Sequence, residues 1–300
     1  MAPEPLLTIE IETDRVRDAP EIHVHPGGQG LWVATMAGSL GAEVVVCGPF
    51  GGETGEITAH LARSRGLELR ATAQGGGGTL LRDRRNGGDP DLVAMPSTRL
   101  DRHALDDLYG TALVAALAAD VCVLTGVQHD IGLPGDYLAR LARDVAASGT
   151  PVVADLNGEL ATAVGKEAIA VLKMSDEEMV DSDLAADDSV EALRRAAEGW
   201  IDAGLGALVV SRAHEPALVV TGEGTSTVAT PSVSTVDHRG AGDSMTAGIA
   251  VGVARGLPVA DAVRLGAAAG ALNVARHGLG TGRRDEIESF ATRVTVAALG

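Results

Sequence analysis

Six apolar runs of strand length punctuate the chain: "EVVVCG" (43–48), "DVCVLTG" (120–126), "PVVADLN" (151–157), "AIAVLKMS" (168–175), "ALVVSR" (207–212) and "ALVVTG" (217–222). Most are near-continuous rather than alternating, as strands covered on both faces are. Amphipathic helical patterns separate several of them, at 54–66, 102–120, 134–149 and 189–204, the last with Ser189 placed as N-cap and Gly204 just past its end. This alternation predicts an α/β fold: a three-layer, Rossmann-like, mostly parallel sheet with helices on both faces. Two small-residue helices, 243–255 and 259–276, follow each other near the end, with Gly256 and Pro258 between them. The segments 8–28 and 75–95 break the rhythm. Both hold short alternating stretches cut by glycine or proline, the pattern of a small separate β-sheet.

Length and composition narrow the reading. Three hundred residues, 45% of them apolar, suffice for a single domain with a sizeable core. Aromatics are only 2% of the chain, so that core is built from Ala, Val and Leu. A formal charge of −17 argues against nucleic-acid or anionic-membrane partners. Cys47 and Cys122 both sit in strand-like runs, as buried reduced thiols do, and no Cys/His spacing suggests zinc. The N-terminus lacks a signal-peptide pattern and no apolar run reaches membrane-spanning length, so the expected location is cytoplasmic.

Polar residues close several predicted strands: Asp155 and Asn157, Lys173 and Ser175, and Ser211. In an open parallel sheet, ligands bind beyond that edge. The stretch "VDHRGAGDSMTAGIA" (236–250) is the most chemical in appearance. Gly240, Ala241 and Gly242 open a helix with little bulk, leaving unpaired N–H groups and a positive dipole end for an anion such as a phosphate. Asp243 follows directly. A carboxylate there either stabilises the first helical turn or accepts a proton from a hydroxyl that attacks a phosphoryl group. The four residues alone leave both readings open.

The wider context carries a resemblance. "VDHRGAGDSMTAG" resembles the C-terminal signature of the PfkB (ribokinase-like) carbohydrate kinases, matching at Asp237, Gly240, Ala241, Gly242, Asp243, Ala247 and Gly248. "HPGGQGLWVATMAGSLGAEVVVCGPFGGETGEITAHL" resembles the N-terminal signature, nearest the 1-phosphofructokinase and tagatose-6-phosphate kinase branch, at Pro26, Gly27, Gly28, Gly30 and Ala34. "LKMSDEEM" lies where the family has K-P-N-x-x-E, with Glu178 in place of the glutamate. The matches span the chain in the expected order.

The resemblance implies a single ribokinase-like kinase domain over 1–300, with a β lid from about 8–28 and 75–95. ATP is then the donor and a sugar or sugar-like metabolite the acceptor. It implies Asp243 as the base, with the Gly240, Ala241 and Gly242 amides around the transferring phosphoryl group. Ser211 and Asn273 fall on the nucleotide side, with Gly240 and Gly242. Gly27, Gly28 and Gln29 fall on the acceptor side, with Asp14 a weak stand-in for an acid missing from the N-terminal segment. Glu178 would organise Mg2+ through water, and Asp237 would contribute to a K+ site. Some relatives pair as homodimers through their lids.

The chain also departs from the family. Gln29 and Trp32 replace a lysine and an asparagine, Leu80 replaces a phosphate-binding arginine, and Ser175 replaces the asparagine of K-P-N. Ala213 and Pro216 alter the nucleotide loop, and His238 replaces a threonine. Arg82 and Arg84 are the nearest substitutes for the lost cations. These departures count against a sugar-phosphate acceptor, and they keep two alternatives open: a 1-phosphofructokinase-type enzyme, and a non-catalytic descendant that binds a nucleotide or sugar. A nicotinamide-dependent oxidoreductase fits the fold class but lacks the glycine fingerprint.

Overall fold

The structure, a computed structural model, describes residues 1–14, 18–85, 91–213, 215–235, 238–275 and 280–299. The chain divides into two compact units, one of Met1–Leu31, Val45–Ala112 and Val127–Leu133, the other of Trp32–Val44, Leu113–Gly126 and Pro134–Gly300.

The first unit opens with strands β1 (Leu6–Asp14) and β2 (Ala19–Gly27), a hairpin. Helix α1 (Gln29–Ser39) starts here and runs on into the second unit. Strand β3 (Val45–Gly51), helix α2 (Gly52–Ser64) and strand β4 (Glu68–Gly76) form a parallel pair with a helical crossover. Strands β5 (Gly78–Asp83) and β6 (Asp91–Met95) precede helix α3 (Arg102–Ala116). The two segments that broke the sequence rhythm supply one four-stranded sheet in the order β2-β1-β5-β6. The register sets Ile9, Val24, Leu81 and Val93 in a single row on one face across all four strands. A small core of Leu100, Ala104, Leu108 and Ile131 lies elsewhere in this unit.

The second unit holds β7 (Cys122–Thr125), α4 (Tyr137–Ala147), β8 (Val152–Asp155), α5 (Gly158–Val164), β9 (Val171–Ser175), α6 (Asp176–Asp181), α7 (Val190–Asp202) and β10 (Ala207–Ser211). Strands β11 (Ala217–Thr221) and β12 (Gly224–Ala229), helices α8 (Ala241–Ala254), α9 (Val259–Val274) and α10 (Arg284–Ala291), and strand β13 (Thr295–Leu299) complete it. The sheet order is β13-β12-β11-β10-β9-β8-β7. Strands β7 to β10 are parallel, as the continuous apolar runs predicted. Strand β11 is antiparallel to β10, so the sheet is mostly, not wholly, parallel. The segment 212–216 between them is too short for a parallel crossover, so a hairpin is forced.

Val153, Val171, Val209 and Val219 turn one sheet face to Met245 and Ile249 of α8 and Val263 and Leu265 of α9. The alternate positions Val152, Ala154, Leu172 and Leu208 are fully buried too, so both faces are covered. Helices α8 and α9 approach closely because small residues meet: a Cβ on Gly248 would lie 2.5 Å from the Gly266 Cα, and one on Gly252 would lie 2.6 Å from the Ala262 Cα. Among the described residues no helix is long and apolar enough to cross a membrane, and Cys47 and Cys122 are buried free thiols.

The clash at Gly248 is with backbone, which cannot swing away. Gly248→Ala should therefore destabilise the fold by about 1–3 kcal/mol despite its better helix propensity. A lower urea midpoint at unchanged slope is the expected reading.

Candidate active site

The carboxyl ends of β8, β9 and β10 bring Asp155, Lys173, Ser175 and Ser211 to one edge of the parallel strands. Asp155 lies directly opposite Lys173, and Ser175 directly opposite Ser211. Helix α8 begins over the same edge. Gly240 is its N-cap at φ 69, a left-handed conformation that favours glycine. Its carbonyl accepts from Ser244 N–H at 2.9 Å, while the first N–H groups of the helix have no intrahelical partner.

The second glycine has a separate cause. A Cβ on Gly242 would lie 2.9 Å from the Lys173 Nζ, so a side chain here would push the ammonium from its place at the helix start. Gly270 of α9 plays the matching part behind it, since a Cβ there would lie 2.9 Å from the Ala241 carbonyl. The Gly-Ala-Gly run thus gives one turn, one thin wall and one cation contact.

Lys173 and Asp155 are almost fully buried. The Lys173 ammonium lies 3.2 Å from each carboxylate oxygen of Asp155. Thr246, on α8, donates its hydroxyl to Asp155 Oδ2 at 2.5 Å. Burial pulls the Lys173 ammonium down more than any other single influence, yet Asp155, Glu178 and Asp243 together hold it above its ordinary value. Asp243 keeps partial solvent contact but is closely surrounded by protein. That dehydration is the main cause pushing its carboxyl up to about 7, reinforced by Asp155 and Glu178 and opposed by Lys173. Near neutral pH, Asp243 is thus poised between its two protonation states.

Ser175 and Glu178 form a capping box at the start of α6. The Ser175 hydroxyl accepts from Glu178 N–H at 3.1 Å, and Glu178 Oε2 accepts from Ser175 N–H at 2.7 Å. The S-x-x-E spacing after an apolar run announces this arrangement in the sequence. Ser211 donates its hydroxyl to the Met174 carbonyl at 3.3 Å. Asn273 is buried, and its amide is engaged at both ends: Nδ2 donates to the Arg239 carbonyl at 2.8 Å, and Oδ1 accepts from Gly280 N–H at 3.0 Å. It ties the approach to Gly240 to Gly280, beyond α9, an internal anchoring task. Asp237 lies outside the described residues.

In the first unit, Gly27 and Gly28 close β2 and lead into α1 at Gln29, which is half-buried. A Cβ on Gly27 would lie 2.2 Å from the Thr8 hydroxyl oxygen, and one on Gly28 would lie 2.5 Å from the Glu4 carbonyl, with φ at 91. Asp14 does not join them. The hairpin register pairs Leu6 with Gly27 and Asp14 with Ala19, so the acid sits at the far tip, about 26 Å along the strand at ~3.3 Å per residue. Arg82 is paired with Asp91, and Arg84 with Glu12 and Glu10. Leu80 is buried.

Sequence reading missed two contacts. Asp155 was seen only as a polar strand end, although its place opposite Lys173 follows from pairing "VVAD" with "VLKMS". Thr246 gave no sequence signal, because its partner is remote in the chain.

The family model described as pfkB family carbohydrate kinase matches residues 6–286. An ATP-dependent 6-phosphofructokinase isozyme 2 of Mycobacterium tuberculosis is 30% identical, over 95% of this chain and 86% of that protein. A 1-phosphofructokinase of Bacillus subtilis is 26% identical, over 86% of this chain and 84% of that protein. In fold, a crystal structure of phosphofructokinase-2 from Escherichia coli in complex with potassium superposes with a TM-score of 0.82 at 22% identity, covering 97% of this chain and 96% of that one. A parallel-rich α/β core, an open helix start beside a poised carboxylate, and a family match along nearly the whole length converge: the chain belongs to the pfkB family of carbohydrate kinases, and is an ATP-dependent kinase that phosphorylates a sugar hydroxyl.

Proposed function

We propose that the protein transfers the γ-phosphoryl group of ATP to a hydroxyl of a sugar or sugar-like metabolite, with Asp243 as general base. The observation that carries this reading is a carboxyl held near 7 at an open helix N-terminus. A base matched to ambient pH combines a useful ionised fraction with real proton affinity. Asp243 takes the proton of the acceptor hydroxyl as its oxygen bonds to the γ-phosphorus. The bond from phosphorus to the bridging oxygen breaks, and ADP leaves with that electron pair. The Gly240, Ala241 and Gly242 backbone receives the charge spread over the phosphoryl oxygens, with the buried Lys173 ammonium directly behind. Ser211 falls on the nucleotide side, and Asn273 supports that side by holding the loop before Gly240.

Among the described residues no group of three or more His, Cys, Asp or Glu side chains gathers to cage a metal. That fits Mg2+, which usually keeps several waters and is held largely by substrate phosphates. Glu178, with one carboxylate oxygen committed to its capping box, would hold such an ion through water. When bound, the ion supplies positive charge against the phosphate oxygens.

Gly27, Gly28 and Gln29 are assigned to the acceptor. The sheet beside them offers it few cations, because Arg82 and Arg84 are engaged with carboxylates and Leu80 is apolar. This favours recognition through hydroxyls over recognition through a phosphate, although the two relatives are named for phosphofructose kinases. The same sheet supports pairing of two copies through its other face, where Ile22, Val24 and Val93 are 64%, 43% and 53% exposed.

Asp243→Asn should lower turnover by roughly 10²–10⁴-fold while ATP binding remains measurable by calorimetry. Undiminished turnover would remove Asp243 from the mechanism. ADP release assayed across sugars, sugar phosphates and nucleosides should be fastest with an unphosphorylated sugar; a sugar phosphate turned over faster would overturn the preference for hydroxyl recognition.

The acid limb of kcat/KM should have its midpoint close to pH 7 in the free enzyme, with activity falling as pH drops and Asp243 gains its proton. A limb near pH 4 would show that the carboxyl is not held up as described.

The wild-type protein should sediment as a dimer, and Val24→Arg combined with Val93→Arg as a monomer.

A further inference from the structure

The buried Lys173 ammonium has more than one carboxylate within electrostatic reach. Asp155 opposes it from β8, Asp243 from α8 and Glu178 from α6. These are also the groups that act on Asp243 among the described residues: Asp155, Lys173 and Glu178. An ammonium carries three donors, and the two oxygens of Asp155 take two of them at 3.2 Å. Asp155 is itself fixed. It sits at the end of a fully buried strand, and Thr246 donates to its Oδ2 from the first turns of α8. Thr246 and Asp243 stand three residues apart on that helix, so the group that fastens Asp155 and the base beside it belong to one rigid element.

The alternative arrangement is chemically costly. A carboxylate in full contact with a cation falls by roughly 1–3 pH units and becomes a poorer proton acceptor. We propose that Asp155, tied to α8 by Thr246, is a positioning residue that keeps the Lys173 ammonium beneath Gly242 and off the Asp243 carboxylate. The base then stays open to an acceptor hydroxyl, while the positive charge stays at the helix start where the phosphoryl oxygens gather. This rests on the reading of Asp243 as base, but the position of the ammonium can be measured without turnover.

The experiment is a pH titration of enzyme labelled with 13C at the aspartate carboxyls, with the Asp243 resonance assigned by its loss in Asp243→Asn. Asp155→Asn should lower the Asp243 midpoint by a pH unit or more, and Lys173→Met should raise it. If the lowering comes from the ammonium crossing to Asp243, the effect of Asp155→Asn should shrink to less than half in the Lys173→Met background. Equal effects in the two backgrounds would overturn the proposal, because simple removal of a negative charge would then suffice. Thr246→Val leaves every charge in place and carries the test if the charge variants fail to fold. It should lower the midpoint measurably, Thr246→Ser should restore it, and an unmoved midpoint in Thr246→Val would overturn the proposal. If these midpoints behave as expected but the acid limb of turnover does not follow them, the assignment of Asp243 as base fails while the positioning role stands.

Discussion

The site is organised around one buried positive charge. Lys173 reaches the start of α8 where Gly242 leaves room for it, and it stays ionised there because carboxylates surround it. A buried ammonium without partners would lose its proton or unfold its surroundings. The Asp155 carboxylate satisfies that need and is satisfied in turn by Thr246. Burial is the main reason that Asp243 is costly to ionise, and the local excess of carboxylates adds to it. The folded chain holds a proton at Asp243 that the unfolded chain releases. Its ionisation therefore costs stability increasingly as pH rises from the ordinary carboxylate range towards about 7. The same arrangement yields both a base suited to neutral pH and a local penalty on the fold, as is common where burial and like charges tune a catalytic group.

Much of this architecture is readable in one dimension. Continuous runs such as "VVAD" and "VLKMS" announce strands covered on both faces, and β8 and β9 are such strands. The small-residue pattern after Asp243 announces a helix packed closely on another, and the contact of Gly248 with Gly266 is its physical content. The limit appears where a strand's direction depends on its connection. "ALVVTG" looks like its parallel neighbours, but the short segment before it reverses the chain. Strand β12 escapes the apolar criterion because "GTSTVA" is half polar and only partly covered, next to the edge strand β13.

Within the site, legibility follows sequence distance. The Gly240–Asp243 run and the S-x-x-E box at Ser175 are local, since their groups act within a few residues of each other, and spacing alone displays them. The bond from Thr246 to Asp155 joins residues 91 positions apart, and no periodicity marks it. Asn273 is the opposite case. It is conspicuous as a polar residue in an apolar helix, but its partners Arg239 and Gly280 give it an internal task that helix position alone does not disclose. Asp14 is only a weak stand-in for the acid that the family resemblance implies, and the β1–β2 register carries it to the far end of the hairpin.

The glycines of the two signatures illustrate why a motif can persist for reasons distinct from ligand contact. Gly27 and Gly28 make room for Thr8 and for the Glu4 carbonyl, and Gly242 for the Lys173 ammonium. Each is a steric condition met inside its own unit. An acceptor or a phosphate that approaches these backbones exploits space already cleared for a protein group. Replacing Gly28 with any other residue would strain a left-handed turn and press on a backbone carbonyl at once, so loss of activity there would not reveal a ligand contact. Gln29 is different. It begins α1 with ordinary helical geometry and a half-buried side chain, so its substitution leaves the turn intact and tests recognition of the acceptor separately from folding. The departures from the family therefore carry more information about this protein's substrate than the residues it shares.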